Sequence, residues 1–306
     1  MTIPSPSPDF SLADLGEEAL VSRLVSGIRT SPGVIAGPGD DCAVVESGGP
    51  HWELLKTDCI VEGVHFFPGT DPRLVGHKAM NRALSDIAAM GGTPAHALVT
   101  LAMDSERSVT EVEGWQNGLL EAASAAGCSV VGGETSRLPV PGAVLTISMT
   151  GTVDPDRCIF RSGARPGDLI AVTGKLGGSL ASGRHLSFVP RLVEAQWLAS
   201  HFKPTSMMDL SDGLGSDLPR LAAASGTGFR IEENLLPCHA GVSPEEAIRD
   251  GEDYELLFTF PSETFPELAG AWKDRFPGLP LTVVGEMTET RSSTPLGRGW
   301  EHYRQG

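Results

Sequence analysis

Basic residues are scarce in this 306-residue chain: 23 Lys and Arg stand against 39 Asp and Glu, a formal net charge of -16. A nucleic-acid surface needs a basic footprint, and no Lys/Arg cluster appears, so nucleic acid is excluded as a partner. Anionic membrane surfaces are disfavoured for the same reason. No long hydrophobic run exists either. The least polar stretch, Ala88 to Met103, is broken by Thr93, Pro94, His96 and Thr100 and falls short of a membrane span. The opening MTIPSPSPDF has no basic residue before Arg23 and no apolar core, which argues against a secretory signal. The five cysteines, at 42, 59, 128, 158 and 238, are odd in number and lack CxxC spacing. A disulfide framework or a structural zinc site is therefore not expected, and Cys128, in the apolar run CSVV, reads as a buried thiol. Together these absences predict a soluble, cytoplasmic protein.

The common phosphate-binding motifs are missing as well. Gly174-Lys175 is followed by Leu176 and lacks the upstream glycine of a P-loop, and in Gly37-Pro38-Gly39 the third-glycine position of a dinucleotide fingerprint is Cys42. Kinase landmarks, zincin HExxH and G-x-S-x-G elbows are absent too. No period of 20–50 residues marks a solenoid.

What is present is an ordinary globular composition, 40% hydrophobic and 20% charged, with enough chain for one large domain or two of about 150 residues. Residues 1–10 alternate Pro and Ser and read as a disordered leader. A first helix is expected from Ser11, a short strand over Trp52–Leu55, and a helix over Pro72–Met90 with Ala79, Met80, Ala83, Leu84 and Ile87 on one stripe. Lys78, Asn81, Arg82, Ser85 and Asp86 share the opposite stripe. A strand over Ala97–Met103, a helix over Val112–Ala126 and a strand over Ser129–Val131 follow. Residues 143–153 alternate cleanly, the pattern of a half-buried antiparallel strand. The loop-like Pro155–Pro166 is the expected junction between two α+β domains, 1–158 and 159–306.

Chemistry is expected at carboxylates set among small residues: Asp40 and Asp41 in GPGDD, Asp58 in KTDC, Asp86 in ALSDIAAMGG, Glu134 in VVGGET, Asp209 and Asp212 in DLSDGL, and Glu252 and Asp253 in GEDYEL. Glycine lets backbone approach a ligand, and clustered carboxylates are costly unless a cation neutralises them. Mg²⁺, with its preference for oxygen ligands and phosphates, is the natural partner, and ATP could be held through it. Each residue also has a plainer reading. Asp86 could pair with Arg82 one helical turn away, and Asp209 and Asp212 could be a helix N-cap and a first-turn acid. His65 and Trp300 could be core, Arg161 a junction-loop salt bridge, and GPGDD a turn.

Taken together, GPGDDCAVV, TDCIVEGVHF, KAMNRALSDIAAMGGTP, VVGGETS, RSGARPGD, DLSDGLGSDL and GEDYELLF match, in order and spacing, a chain that resembles the thiamine-monophosphate kinases. These belong to the aminoimidazole ribonucleotide synthetase-like ATP-binding superfamily. The resemblance covers about Ser11 to Tyr303. It implies an α+β fold of two domains: an N-terminal mixed sheet that contributes to a barrel-like interface in a homodimer, and a C-terminal α/β sandwich that closes over substrate. It implies ATP- and Mg²⁺-dependent phosphorylation of thiamine monophosphate to thiamine diphosphate. Carried over at matching positions, several metal ions would be held by Asp40, Asp41, Thr57, Asp58, Asp86, Glu134, Asp209 and Asp212, with Asp58, Asp86 and Asp212 essential to catalysis. Gly132, Gly133, Arg161 and Ser211 would contact ATP, while His65, Glu252 and Trp300 would meet thiamine monophosphate. Two positions depart from the resemblance. Lys56 stands where a serine is usual, and would either neutralise phosphate in place of a metal ion or be a solvated strand-end lysine; Glu134 replaces an aspartate. Rival readings are an aminoimidazole ribonucleotide synthetase-like enzyme, a silent nucleotide or thiamine-phosphate binding protein, and a metal-dependent phosphatase. Selenophosphate synthetase lacks support without a reactive Cys before a glycine-rich segment, and hydrogenase-maturation carbamoyl dehydratase lacks it because Cys238 is the last cysteine.

Overall fold

A computed structural model of the chain describes residues 11–289, 296–301 and 303; the expected leader, 1–10, lies outside the described residues. The first half runs α1 (Leu12–Leu15), α2 (Glu17–Val25), β1 (Val34–Ala36), β2 (Ala43–Glu46), β3 (Trp52–Val61), α3 (Pro72–Ala89), β4 (Thr93–Met103), α4 (Val109–Ala125), β5 (Ser129–Arg137) and β6 (Ala143–Val153). The second half runs β7 (Asp168–Thr173), α5 (Ser179–Ser182), α6 (Leu192–His201), β8 (Ser206–Asp209), α7 (Leu214–Ser225), β9 (Gly228–Ile231), α8 (Pro244–Arg249), β10 (Leu256–Pro261), α9 (Phe265–Arg275) and β11 (Leu281–Thr288).

The first sheet has the order β1-β2-β3-β6-β4-β5, antiparallel except for the parallel pair β4–β5. β6 carries the alternation its sequence shows: Leu145, Ile147 and Met149 are buried against the helices while Ser148 and Thr152 are exposed. β3 and β5 run well beyond the short strands expected of them. Every residue of β3 from Trp52 to Val61 pairs with β6, so main-chain hydrogen bonding carries the strand through the polar Lys56-Thr57-Asp58 stretch, where apolar periodicity fails. The sheet is open, with β1 and β5 at its edges; no barrel closes within the described residues.

Helices α3 and α4 cover one face of this sheet. Asp71 caps α3 by accepting from the Arg73 N–H, and Pro72 supplies its first position. The two helices touch through backbone: a Cβ at Gly118 would lie 2.0 Å from the Arg73 carbonyl oxygen, and one at Gly76 2.1 Å from that of Trp115. Met80, Leu84 and Ile87 of α3 join Trp115, Leu119 and the inner residues of β6 in one core, and Cys128 is buried beside it as expected.

The second sheet, β8-β10-β7-β11-β9, is antiparallel throughout and sandwiched between helices. Ile170, Val172 and Leu257 pack on α7 through Leu214, Leu218 and Leu221. Ala171, Met207 and Phe258 face the other way, onto Leu198 of α6 and Trp272 of α9. Ala88, near the end of α3, belongs to this last core, so α3 touches both halves of the molecule.

Candidate active site

Three carboxylates from distant parts of the sequence converge where α3 meets the second sheet. Asp41 precedes β2, Asp86 lies in the last turn of α3 and Asp209 ends β8; one oxygen of each lies within 4.8 Å of the others. All three are buried. Their neutralisation is incomplete. Arg161 Nη2 stands 2.6 Å from Asp41 Oδ1 and Lys56 Nζ 2.8 Å from Asp86 Oδ1, whereas Asp209 Oδ2 accepts from the neutral Ser85 hydroxyl, at 2.6 Å, and pairs with no cation among the described residues. Asp41 Oδ2 is buried with no hydrogen-bond partner among the described residues. Burial, reinforced by the Asp41 charge, pushes the Asp209 carboxyl up to about 6. The same two causes act on Asp40, which accepts from the Arg161 N–H and also rises to about 6. Burial drives Asp86 well above the carboxylate range despite the pull of Lys56, with Asp209 and Asp58 pushing the same way. Crowded acids that hold protons this tightly also bind cations, and an all-oxygen donor set with an unpartnered buried oxygen suits a hard divalent ion.

The polar stripe of α3 forms the wall beside this cluster. Its alternative of a helix-surface pair between Arg82 and Asp86 is not realised. Arg82 instead reaches Asp58 on β3, through Nε at 3.2 Å and Nη2 at 3.3 Å, and Glu252 at 3.4 Å. Burial alone would raise Asp58, but Arg82 and Lys56 bring it below its ordinary value. Lys78, one turn earlier and fully buried, donates to the His65 carbonyl at 2.7 Å, meets His185 Nδ1 at 2.7 Å and pairs with Glu252. Glu252 is fixed in return: burial would raise it, yet the His185 hydrogen bond and the Lys78 and Arg82 charges bring it down to about 2. Its backbone is left-handed, φ 66°, as is that of Tyr254, φ 51°. Strain of that kind in non-glycine residues persists only where the surroundings over-determine it.

Beyond Arg82 opens a cavity of about 610 Å³, lined by His65, Ser211, Asp212, Gly251, Glu252 and Trp300, with Leu180 and Ala181 on the apolar side. Trp300 is 47% exposed, not core, and its main-chain N–H donates to the Asp212 carbonyl at 2.9 Å. That close seat needs glycine at 299, where a Cβ would meet the Asp212 carbonyl oxygen at 2.1 Å. The capping alternative for Asp209 and Asp212 fails too: Gly213 is the cap residue of α7. Asp212 pairs with Arg220 at 2.5 Å, and the buried Asp217 accepts from the N–H groups of Ser211 and Asp212 at 3.1 and 3.0 Å, holding the DLSDGL turn in shape.

The remaining expected site residues lie elsewhere. Thr57 alternates to the sheet face opposite Lys56 and Asp58, with its hydroxyl 3.5 Å from Ser148 Oγ. Gly132, Gly133 and Glu134 sit on the edge strand β5, three strands from β3, or ~14 Å at ordinary strand spacing. Gly133 has a packing reason of its own, since a Cβ there would meet the Val99 carbonyl oxygen at 1.9 Å. Lys56 is not a solvated strand-end residue; it is mid-strand, its ammonium seated on Asp86. Sequence reasoning missed the roles of Lys78, Arg82, Asp217 and His185. The polar stripe on α3 was the available signal for the first two and the DLSDGLGSDL string for Asp217, while His185 had none.

Two family models match this chain: the AIR synthase related protein N-terminal domain over residues 39–153 and the corresponding C-terminal domain over 165–296. The chain is similar to the thiamine-monophosphate kinase of Rhodopirellula baltica, 38% identical with 89% of each chain covered. Its similarity to that of Escherichia coli K12 is 34%, over 94% of this chain and 97% of the relative. Among solved structures, AaThiL complexed with AMPPCP and TMP superposes with a TM-score of 0.81 at 31% identity, covering 97% of this chain and 100% of that one.

Proposed function

We propose that this chain, which belongs to the thiamine-monophosphate kinase family, phosphorylates thiamine monophosphate with ATP to give thiamine diphosphate and ADP. It is an enzyme of the kinase class. The observation that carries the reading is the placement of the Asp41/Asp86/Asp209 cluster one helical turn from Arg82, which lines the cavity ending at Trp300. A site for phosphates thus adjoins a site large enough for an aromatic acceptor. A related protein of the same fold is known with a non-hydrolysable ATP analogue and thiamine monophosphate, which supports both ligands.

The terminal phosphate oxygen of thiamine monophosphate would attack the γ-phosphorus of ATP in line, forming one P–O bond as the bond to ADP breaks. That nucleophile is already anionic, so no strong general base is needed; the barrier lies in bringing two polyanions together. Mg²⁺, held by Asp41, Asp86 and Asp209 with Asp58 and Asp212 alongside, would supply charge neutralisation and phosphate alignment when bound. Arg161, at the mouth of the cluster, would add charge-assisted bonds to ATP phosphate, and Ser211 a hydroxyl. Trp300 would stack on the aromatic part of the acceptor, with Glu252 and His65 fixing its orientation.

We assign residues 1–158 to ATP and metal binding and to dimerisation, and 159–306 to substrate closure. Support for a homodimer comes from the uncovered face of the first sheet, where Leu55 and Leu98 are exposed, and from the open edge strand β5, where Val131 is exposed. An interface there would give Gly132, Gly133 and Glu134 a route to the ATP site that they do not have within one chain.

The test is incubation of the purified protein with thiamine monophosphate, ATP and Mg²⁺, followed by chromatographic separation of the thiamine species. Thiamine diphosphate and ADP in equal amounts, abolished by chelator, is the expected result. Phosphate release from thiamine monophosphate without ATP, or bound ATP with no diphosphate formed, would overturn it.

A further inference from the structure

Two cations of the chain contact the three clustered carboxylates: Arg161 on Asp41 and Lys56 on Asp86. The two cations are not alike. Arg161 comes from the loop between the sheets, and its Nε is buried without a hydrogen-bond partner, leaving donor capacity for an incoming anion. Lys56 is fixed in the middle of β3, in register with Met149 of β6, beneath α3 on the same face as Leu54 and Ile60. Its ammonium therefore projects into the cluster from the floor, and the Asp86 oxygen it contacts, at 2.8 Å, gives one of its acceptor sites to the lysine and has less to offer a second ion.

We infer that Lys56 is a built-in monovalent cation that takes the place of one divalent ion at this cluster, so that the chain binds one fewer metal than its carboxylates could otherwise hold. The inference rests on the divalent-dependent reading of the site given above. The electrostatics agree with it in sign: the ammonium adds one positive charge to the cluster and occupies an acceptor site on Asp86, and both effects disfavour an additional divalent ion. Without the ammonium, the cluster is one unit more negative and the Asp86 oxygen regains its acceptor site. An ammonium offers three donors and no coordination sites, so it neutralises a carboxylate or phosphate without ordering a hydration shell.

The test counts Mn²⁺ bound by the chelator-stripped full-length chain, reading free Mn²⁺ by electron paramagnetic resonance. K56M and K56Q should bind one more Mn²⁺ per chain than the native protein, K56R the native number, and K56M/D86N should lose the extra ion. Equal, non-zero counts for native, K56M and K56Q would overturn the inference while leaving the divalent reading intact. Zero Mn²⁺ in all variants would overturn both. Should K56M and K56Q fail to fold in chelator, recovery of a cooperative melt on adding Mn²⁺ supports the inference and absence of recovery overturns it.

Discussion

Lys78 on α3 and Glu252, in the segment leading into β10, form a buried ion pair that ties the two halves of the molecule together beside the ligand cavity. Neither group is alone: Lys78 also donates to the His65 carbonyl, and Glu252 is bonded by Arg82. One ammonium thus fixes two residues of the cavity wall.

Removing one partner of a buried pair typically costs about 3–5 kcal/mol when the other charge is left alone, and because Arg82 still faces Glu252 the lower end applies here. Lys78→Met is expected to lose stability of that order in urea unfolding. Where it remains folded, the Michaelis constant for thiamine monophosphate should rise more than that for ATP.

Asp209→Asn separates function from stability in the opposite sense. The acid is held protonated up to about pH 6 by burial and by Asp41, so the neutral amide should be tolerated or mildly stabilising in metal-free protein. Turnover should fall by about 100-fold or more, as when a preorganised electrostatic contact is lost. Steady-state kinetics alongside thermal melting checks both halves.

Asp253 gives a pH dependence with a defined sign. Burial raises it to about 7, with Glu255 and Asp250 adding to the shift against the Gly177 N–H and Arg184. Its contribution is full below the unfolded carboxylate range near pH 4 and is lost as pH rises toward 7, because the folded state keeps a proton that the unfolded state has released. Each such group contributes a slope of up to about 1.4 kcal/mol per pH unit. Asp40 and Asp209, raised to about 6, act in the same direction. Metal-free protein should therefore lose stability from pH 4 to 7, and Asp253→Asn, measured by urea midpoints, should make that decline shallower.

Trp300→Ala removes the half-exposed ring at the cavity mouth. Aromatic stacking worth about 1.4 kcal/mol corresponds to a tenfold change in affinity. The expected result is a roughly tenfold higher Michaelis constant for thiamine monophosphate with little change in turnover or melting temperature.

Val131→Asp places a charge on the open β5 edge, at a side chain 59% exposed in the single chain. If that edge is the dimer surface, sedimentation should show a shift from dimer to monomer with loss of activity. An unchanged sedimentation coefficient would move the interface elsewhere.

Local pattern was enough to read much of this molecule. The alternation of residues 143–153, the apolar stripe of Ala79, Met80, Ala83, Leu84 and Ile87, and the recurrence of carboxylates beside glycine are all set within a few residues, because strand and helix periods are short-range properties. The same locality explains the misses. β3 and β5 extend past their apolar residues because partner strands hold them, and the polar stripe of α3 hid buried residues because its covering came from Glu252 and Asp209, more than a hundred residues away. By itself the sequence determined which elements form and which charged groups are available. Only the tertiary structure decided which charges meet. It seated Lys56 on Asp86, turned Arg82 from Asp86 to Asp58, and gathered Asp41, Asp86 and Asp209 within one ion's reach. Those pairings depend on chain closure and desolvation, energies that belong to the packed molecule as a whole.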